Sequence, residues 1–154
     1  MPLIDVDGAS FHVRLDGRED APVLMLSNSL ASNLSMWDDQ TPAFARRFRI
    51  VRYHHRGHGA SAAPSGPYSF DRLGRDALAI LDALGIERAH WCGLSMGGMT
   101  GMWLLTHAPE RVGRAVLANT AAHMGPRELW DGRIRTAEGG GMAALVDATI
   151  ERWF

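Results

Sequence analysis

One pentapeptide in this sequence has residue types and a spacing suited to nucleophilic catalysis. Gly93-Leu94-Ser95-Met96-Gly97 has the pattern G-x-S-x-G, between a segment that predicts a strand and one that predicts a helix. In that context the serine lies on a strained turn that exposes its hydroxyl, and the glycines occupy positions where a side chain would clash with the turn. The helix also directs its first N–H groups at the reacting centre, where negative charge develops. Ser95 is therefore predicted to be a nucleophile; the alternative is a glycine-rich turn with a spectator serine.

Two backbone N–H groups are predicted to stabilise the oxyanion of that reaction. One is the N–H of Met96, directly after the serine, and the other comes from a loop after an earlier strand. The apolar run 23–26 predicts such a strand, and Asn28-Ser29-Leu30 follows it. The N–H of Leu30 is the predicted second donor, and Asn28 and Ser29 are predicted substrate contacts. The alternative for this tripeptide is an ordinary polar turn.

Alternating strands and helices position these residues. Residues 3–6 and 11–15 flank Asp7-Gly8 and predict a hairpin. Strands that alternate with helices of about 12 residues form parallel units, so the predicted fold class is α/β, a mostly parallel sheet with flanking helices. The further predicted strands are 23–26, 48–53, 88–92 and 112–118, and the predicted helices are 37–47, 70–84 with Ser69 as its N-cap, and 99–107.

The pattern changes after the last predicted strand. Residues 126–135 and 142–153 predict two helices around Gly139-Gly140-Gly141, with no strand between them. This segment is predicted to be either a lid or the start of a second subdomain. The predicted division is a core at 1–122 and the beginning of a helical lid at 123–154.

Composition argues against several classes of function. The net charge is −1, so neither nucleic acid nor an anionic membrane surface is an expected partner. Cys92 is the only cysteine, which excludes an internal disulfide. No signal-peptide pattern and no apolar run of about 18 residues is found, so the cytoplasm is the expected location. His54, His55 and His58 share one turn but lack a carboxylate or thiolate companion, so no metal is predicted.

Several segments of this sequence resemble those of a known family. The segments are Ser27-Asn28-Ser29-Leu30, Met36-Trp37, Arg56-Gly57-His58-Gly59, Cys92-Gly93-Leu94-Ser95-Met96-Gly97-Gly98-Met99, Ala108-Pro109-Glu110-Arg111-Val112 and Leu117-Ala118-Asn119-Thr120-Ala121. Through these segments, the sequence resembles the α/β-hydrolase superfamily and, within it, the 3-oxoadipate enol-lactonase family of the β-ketoadipate pathway. The resemblance extends up to Phe154, with a departure at His54, where relatives usually have an acidic residue.

The resemblance implies a reaction that needs no cofactor. Ser95 attacks the carbonyl of an enol-lactone, backbone N–H groups stabilise the oxyanion, and water releases 3-oxoadipate. Such a small lactone or ester substrate carries a carboxylate, so the pocket is expected to offer a cation. Arg133 is the candidate cation, with Trp130 and Met124 as candidate pocket walls; the alternative for each is a surface or packing role.

The other members of the catalytic triad are expected outside this sequence. The family order is serine, acid, histidine, and both partners are expected beyond Phe154, within about 100 further residues. Asn119 stands where some relatives carry the acid, and His123 is the one histidine expected near the pocket. A serine without its base is a poor nucleophile, so the isolated chain is predicted to be nearly inactive. Missing C-terminal strands also predict an open sheet edge, and hence self-association or a partner segment.

Three other functions are compatible with these residues. A carboxylesterase or a carbon–carbon bond hydrolase of the same fold would share every catalytic feature named above. A second class is a non-catalytic fragment that acts by association with another chain, and a third is a truncated product without function. Comparing activity against enol-lactone with activity against aryl esters separates these hydrolases from an enol-lactonase. Sedimentation tests for association with another chain, and limited proteolysis tests whether the product is poorly folded.

Overall fold

The computed structural model describes residues 3–154, and the chain divides into two compact units, Met1–Ala122 and His123–Phe154. Strands of the first unit form one sheet: β1 (Leu3–Val6), β2 (Ala9–Asp16), β3 (Val23–Ser27), β4 (Arg49–Tyr53), β5 (Ala89–Leu94) and β6 (Val112–Ala118). The order is β1-β2-β4-β3-β5-β6. β2 pairs antiparallel with β1 and β4, and the remaining pairs are parallel. The predicted α/β architecture with a mostly parallel sheet is confirmed.

Helices flank the sheet and make up the second unit. No helix among residues 3–154 is both long and apolar enough to cross a bilayer. The first unit contains α1 (Thr41–Phe44), α2 (Phe70–Ala83) and α3 (Met96–His107), and the second contains α4 (Arg127–Gly140) and α5 (Val146–Trp153). Single 3-10 turns lie at Leu34–Trp37, Pro109–Arg111 and Met142–Leu145.

The central strands bury side chains on both faces of the sheet. In β3, Met25 packs into one cluster with residues of α2 and α3, while Leu24 and Leu26 pack into a second cluster with Trp37. Because both faces are covered, β3 needs apolar residues at consecutive positions. This explains why its sequence is a continuous apolar run. The carboxyl ends of β3 and β5 lead directly into the candidate site.

Helix α2 agrees with the prediction for residues 70–84. Ser69 caps it by accepting a hydrogen bond from the Arg72 N–H at 3.1 Å. Its apolar face includes Ile80, which is fully buried, and such burial contributes roughly 1.5–3 kcal/mol. Gly74 lies where α2 meets α3, since a Cβ there would stand 1.9 Å from Cε3 of Trp103. Both the cap and the amphipathic pattern are local signals, which is why they predict this helix well.

The predicted helix at 37–47 is wrong. The structure has a 3-10 turn at Leu34–Trp37 and one helical turn, α1, followed by a turn that leads to β4. The buried Arg52 donates to the carbonyl of Leu34 at 3.3 Å and to the carboxylate of Asp38. The Trp37 indole is buried as well. These tertiary contacts hold the segment in short turns, and a continuous helix would displace them.

Other predicted helix bounds also differ from the structure; for the segment predicted at 142–153, helix α5 begins only at Val146, after a 3-10 turn. Helix α3 begins at Met96 rather than Met99, because the turn is completed at Ser95 and the chain is helical from the next residue. Helix α4 continues through Gly139 and Gly140 and ends at Gly141, whose φ is 69°. Glycine adopts such a positive φ readily because it has no Cβ.

The second unit is a pair of helices with a large exposed apolar surface. Within it, the Trp130 indole N–H donates to the carbonyl of Met124 at 2.7 Å. The large apolar side chains that are exposed in this unit are Leu129, Ile134, Met142, Val146, Ile150, Trp153 and Phe154. In the first unit, β6 lies at an edge of the described sheet, and its Val116 is also exposed.

A buried ion pair fixes the turn 54–59, which follows β4, to helix α2. The Arg56 guanidinium donates to both carboxylate oxygens of Asp76, at 2.8 and 2.6 Å, and both side chains are buried. Arg72 donates to the same carboxylate from the helix surface, at 2.8 and 2.6 Å. A buried pair of this kind needs both partners, since the one left alone would be an uncompensated charge.

Asp76→Asn should therefore destabilise the protein strongly. Removing one partner of a buried pair costs about 3–5 kcal/mol, so the free energy of unfolding should fall by that order in urea titrations followed by circular dichroism. Asp71→Asn is the matched control, because the Asp71–Arg75 pair lies on the same helix and is exposed. Exposed pairs contribute little. Equal losses in the two variants would contradict the anchoring role of Asp76.

Candidate active site

Ser95 stands between β5 and α3 in a strained backbone conformation. Its φ of 53° and ψ of −111° are rare for a residue with a side chain, and such conformations cost of the order of 1–3 kcal/mol. A serine just before a helix ordinarily caps it with its hydroxyl. The Ser95 side chain makes no such bond. Its hydroxyl therefore has no structural role in the helix that it precedes, and it is available for chemistry.

Glycines flank Ser95 because backbone approaches backbone on both sides of it. A Cβ on Gly93 would lie 2.2 Å from the carbonyl oxygen of Gly97. A Cβ on Gly97 would lie 2.2 Å from the carbonyl oxygen of Ser27, at the end of β3. Rotating a side chain cannot relieve either contact. The G-x-S-x-G pattern is thus explained by two close approaches of the main chain.

Hydrogen bonds from the neighbouring strand hold the Ser95 backbone. Its N–H donates to the carbonyl of Ala118 at 2.9 Å, and its carbonyl accepts from the Thr120 hydroxyl at 2.8 Å. Sequence patterns do not assign Thr120 a role, although it lies in one of the family-like segments. Its position two residues after β6 is the signal that could have found it, because the carboxyl end of β6 lies beside that of β5.

The first turn of α3 is tied to the loop that follows β3. The Gly97 N–H donates to the carbonyl of Asn28 at 3.0 Å, and the Gly97 carbonyl accepts from the Trp91 indole at 3.0 Å. The structure therefore brings together the two segments that the sequence predicts to form the site. They are the serine turn and the tripeptide 28–30.

The Asn28 side chain is bonded within the protein, and its role as a substrate contact stays a prediction. It is fully buried, its amide nitrogen donates to the Tyr53 carbonyl at 2.7 Å, and its amide oxygen accepts from the Trp37 indole at 2.9 Å. With no exposed surface, it shapes the loop. Ser29 is also buried, whereas Leu30 is 38% exposed. A role for Ser29 in substrate binding stays a prediction.

The N–H groups of Leu30 and Met96 are open donors. Within the part of the chain that the structure describes, neither donates to a backbone carbonyl or to a side chain. Met96 begins α3, where the first N–H groups of a helix lack internal partners and favour negative charge. Unpaired N–H groups of this kind can donate hydrogen bonds to an oxyanion that develops near them.

The described residues of the first unit show no hydrogen bond between a histidine and the Ser95 hydroxyl, which does not cap α3 either. Several histidines of that unit bond to their own surroundings. His54 accepts from the Ala60 N–H at 2.8 Å, and His90 accepts from the Arg114 N–H at 2.9 Å. His123 belongs to the second unit. Its role as a base remains a prediction.

His55 is a neutral, buried imidazole beneath the loop. Its Nε2 lies 3.1 Å from the Ser27 hydroxyl and 3.3 Å from the Asn28 carbonyl oxygen. Burial, and secondarily the nearby His58, lowers the pKa of His55 to about 3. The pKa of His54 is also lowered, by burial and then by His12 and His58. Among the described residues, no three His, Cys, Asp or Glu side chains form a group that could hold a metal.

The remaining candidate substrate contacts lie in the second unit. Arg133 stands 5.1 Å above the ring of Trp130, which is itself bonded to Met124. Burial, together with the charge of Arg152, lowers the pKa of Arg133. The structure thus groups Arg133, Trp130 and Met124 with one another. Contact between this group and a substrate stays a prediction.

The lowered pKa of His55 predicts that acid destabilises the fold. Unfolded histidine has a pKa near 6.5, so the unfolded chain binds a proton that the folded chain excludes between about pH 6.5 and 3. Stability from this group is complete above pH 6.5 and is lost as pH falls toward 3, by at most about 5 kcal/mol. Urea unfolding from pH 7 to 4 measures it. His55→Gln should flatten this dependence, whereas an unchanged slope would contradict it.

Comparisons with known proteins agree with this geometry. A family model described as the alpha/beta hydrolase fold matches residues 22–138. The 3-oxoadipate enol-lactonase 2 of Acinetobacter baylyi is 45% identical over 138 residues, which cover 90% of this chain and 52% of that protein. The putative carbamate hydrolase RutD of Caulobacter segnis is 36% identical over 150 residues, 93% of this chain and 55% of that protein.

A solved structure gives the same result. The enol-lactonase from Burkholderia xenovorans LB400 is 47% identical and superimposes with a TM-score of 0.97, covering 99% of this chain and 60% of that one. The chain spans about half the length of the curated relatives it matches. The family match extends from the residue before β3 into α4, and so includes the serine turn and the loop at 28–30. The chain belongs to the α/β-hydrolase fold family.

Proposed function

We propose that this chain carries the nucleophile and the oxyanion donors of a serine hydrolase. The observation that carries the proposal is the backbone of Ser95, which is strained and leaves the hydroxyl without a capping role at the start of α3. The open N–H groups of Met96 and Leu30 support it. The bond from Gly97 to Asn28 ties the two donor segments together.

In the proposed reaction, the Ser95 hydroxyl oxygen attacks the carbonyl carbon of an ester or lactone. A general base takes the hydroxyl proton, and the carbonyl oxygen becomes an oxyanion that the Met96 and Leu30 N–H groups stabilise. Collapse of this intermediate breaks the bond to the leaving-group oxygen, which takes the proton from the base, and an acyl-enzyme is left. Water gives a proton to the same base and attacks the acyl carbon. The acid is released, and the Ser95 oxygen takes the proton back from the base.

The substrate that we favour is 3-oxoadipate enol-lactone, an intermediate of aromatic catabolism. The enol-lactonases compared above are 45% and 47% identical to this chain, and that level of identity supports the choice. The RutD relative, at 36% identity, supports carbamate hydrolysis as a second candidate. A carboxylesterase, a carbon–carbon bond hydrolase, and a non-catalytic fragment remain alternatives.

The base is the part of this mechanism that the described residues do not provide around Ser95. It would come from His123 or from another polypeptide segment, either of which would have to approach the hydroxyl. Serine hydrolases that lose triad members retain roughly 10³–10⁴-fold catalysis over water, from the oxyanion site and binding. We therefore propose that in the 154-residue chain alone the nucleophilic serine is correctly placed but reacts slowly.

The purified 154-residue chain should react only slowly with a fluorophosphonate probe, because its serine lacks a base. Intact mass after labelling measures the modified fraction, and circular dichroism establishes that the sample is folded. Slow labelling that Ser95→Ala abolishes is the expected result. Ser65→Ala, at an exposed serine away from the turn, is the control and should label as the parent does. Rapid stoichiometric labelling at Ser95 would mean that a base is present, and the expectation of a weak nucleophile would be wrong.

Arg133→Gln should raise KM for enol-lactone and leave the neutral substrate p-nitrophenyl acetate unaffected. A hydrogen bond to a charged group contributes about 1.5–3 kcal/mol, so the expected increase is about tenfold or more. The assay uses high concentrations of the chain and subtracts the rate of Ser95→Ala. Arg135→Gln, on the same helix, is the matched control. Equal effects on KM for both substrates would show that Arg133 does not bind the substrate carboxylate. If the parent chain hydrolysed a carbamate faster than the enol-lactone, carbamate hydrolysis would become the favoured function.

A further inference from the structure

We propose that His55 and His58 are positioning residues that hold the segment 28–31 on both sides of Leu30, so that the Leu30 N–H is fixed for the oxyanion. The inference rests on the proposed function, in which that N–H is a donor. Both histidines belong to the turn 54–59. Neither is placed in contact with a substrate, and each acts through the loop.

His58 holds the far end of the segment at Ala31. The Ala31 N–H donates to Nε2 of His58 at 3.1 Å, and Nδ1 of His58 lies 3.0 Å from the Arg56 carbonyl oxygen. Because Nε2 accepts and a carbonyl can only accept, the proton must be on Nδ1. Ala31 has a φ of 59°, which is rare for a residue with a Cβ. The bond to His58 therefore stabilises a conformation that the chain would otherwise leave.

His55 holds the near end of the segment at Asn28. Its Nε2 faces the Asn28 carbonyl oxygen at 3.3 Å, so the Nε2–H tautomer is the one that bonds. The same carbonyl accepts from the Gly97 N–H at 3.0 Å. The Ser27 hydroxyl joins the network, 3.1 Å from both the His55 ring and the Tyr53 hydroxyl. One carbonyl thus connects the histidine turn, the loop and the start of α3.

The turn that carries the two histidines is itself rigid. Arg56 lies between them in the sequence, and its buried ion pair with Asp76 fixes the turn to α2. The Gly57 N–H also donates to the Ala62 carbonyl at 2.9 Å. Restraint is therefore passed from α2 through the turn to the loop. Leu30 and Ala31 are exposed, whereas Asn28 is buried and anchors the start of the segment.

An oxyanion site requires a donor at a fixed position, and the contacts at Asn28 and Ala31 fix the Leu30 N–H between them. Donors act when they lie about 2.7–3.1 Å from the developing oxyanion, and removing one costs about 10²–10³-fold in rate. Displacement by about 1 Å can cost a similar factor. Loss of the His58 bond should therefore weaken stabilisation of a tetrahedral adduct at Ser95 and leave the fold intact.

The first arm of the test is spectroscopic and does not depend on activity. Long-range ¹H–¹⁵N correlation spectra of the full 154-residue chain report the tautomer of each histidine. We expect opposite tautomers in the two neighbours, Nδ1–H in His58 and Nε2–H in His55. Hydrogen exchange of the Ala31 amide should be about tenfold or more faster in His58→Leu and largely restored in His58→Gln, whose amide oxygen can accept the same bond.

The second arm measures binding of phenylboronic acid, which forms a tetrahedral adduct with a serine hydroxyl. His58→Leu should weaken binding by about tenfold or more, and His58→Gln should recover most of it. His90→Leu is the matched control, since His90 also accepts a backbone N–H but does so toward the amino-terminal end of β5. It should bind as the parent chain does. Ser95→Ala should not bind at all.

The outcomes separate the inference from the proposed function. If the parent chain binds phenylboronic acid and His58→Leu binds it equally well, the positioning role is overturned. If the parent does not bind, the proposed chemistry at Ser95 is contradicted, and the histidine contacts are judged on the first arm alone. An Nε2–H tautomer in His58, or Ala31 exchange that is unchanged in His58→Leu, would then overturn the contacts as well.

Discussion

The approach of the Gly97 backbone to the Ser27 carbonyl is the constraint on which the site depends. It places the first turn of α3 against the end of β3 and lets the Gly97 N–H reach the Asn28 carbonyl. The serine two residues earlier is forced into a conformation that costs of the order of 1–3 kcal/mol. Bonds with Ala118 and Thr120 offset that cost, at about 1 kcal/mol each. Contacts with β3, β5 and the segment at the end of β6 therefore hold the turn. The contribution of the local sequence is mainly its glycines, whose lack of side chains permits the close contacts.

Buried polar groups carry this restraint from one element to the next. An unsatisfied buried donor or acceptor costs about 1–3 kcal/mol, so a polar network beneath a loop allows few arrangements of that loop. Asn28, His55 and Arg56 are all buried, and each is bonded to a different element. Among the described residues, Nδ1 of His12 is the one buried side-chain polar atom without a partner. It lies on β2, where the ring of His54 packs against it.

Sequence patterns predict the parts of this structure that are determined locally. The helix after Ser69 has its own cap and apolar face, and the serine turn has its glycines, so both are found where the patterns place them. The helix predicted at 37–47 fails because contacts with distant side chains shape that segment. Asp76 belongs to no motif, and Thr120 lies in a family-like segment that assigns it no role. Their roles arise only when the sheet places β6 beside β5 and when α2 packs beside the turn 54–59, so one sequence alone does not reveal them.

The geometry of the nucleophile is separate from its activation. The hydrogen bonds that hold Ser95, Gly97 and the loop 28–31 all have their partners before residue 123. They come from β5, β6, the segment after β3 and the histidine turn. A strained serine with two open donors is therefore assembled by the first unit without any contact from a base. In the reaction that we propose, a base would then have only to reach a hydroxyl already in place, which is a smaller demand than building the turn itself.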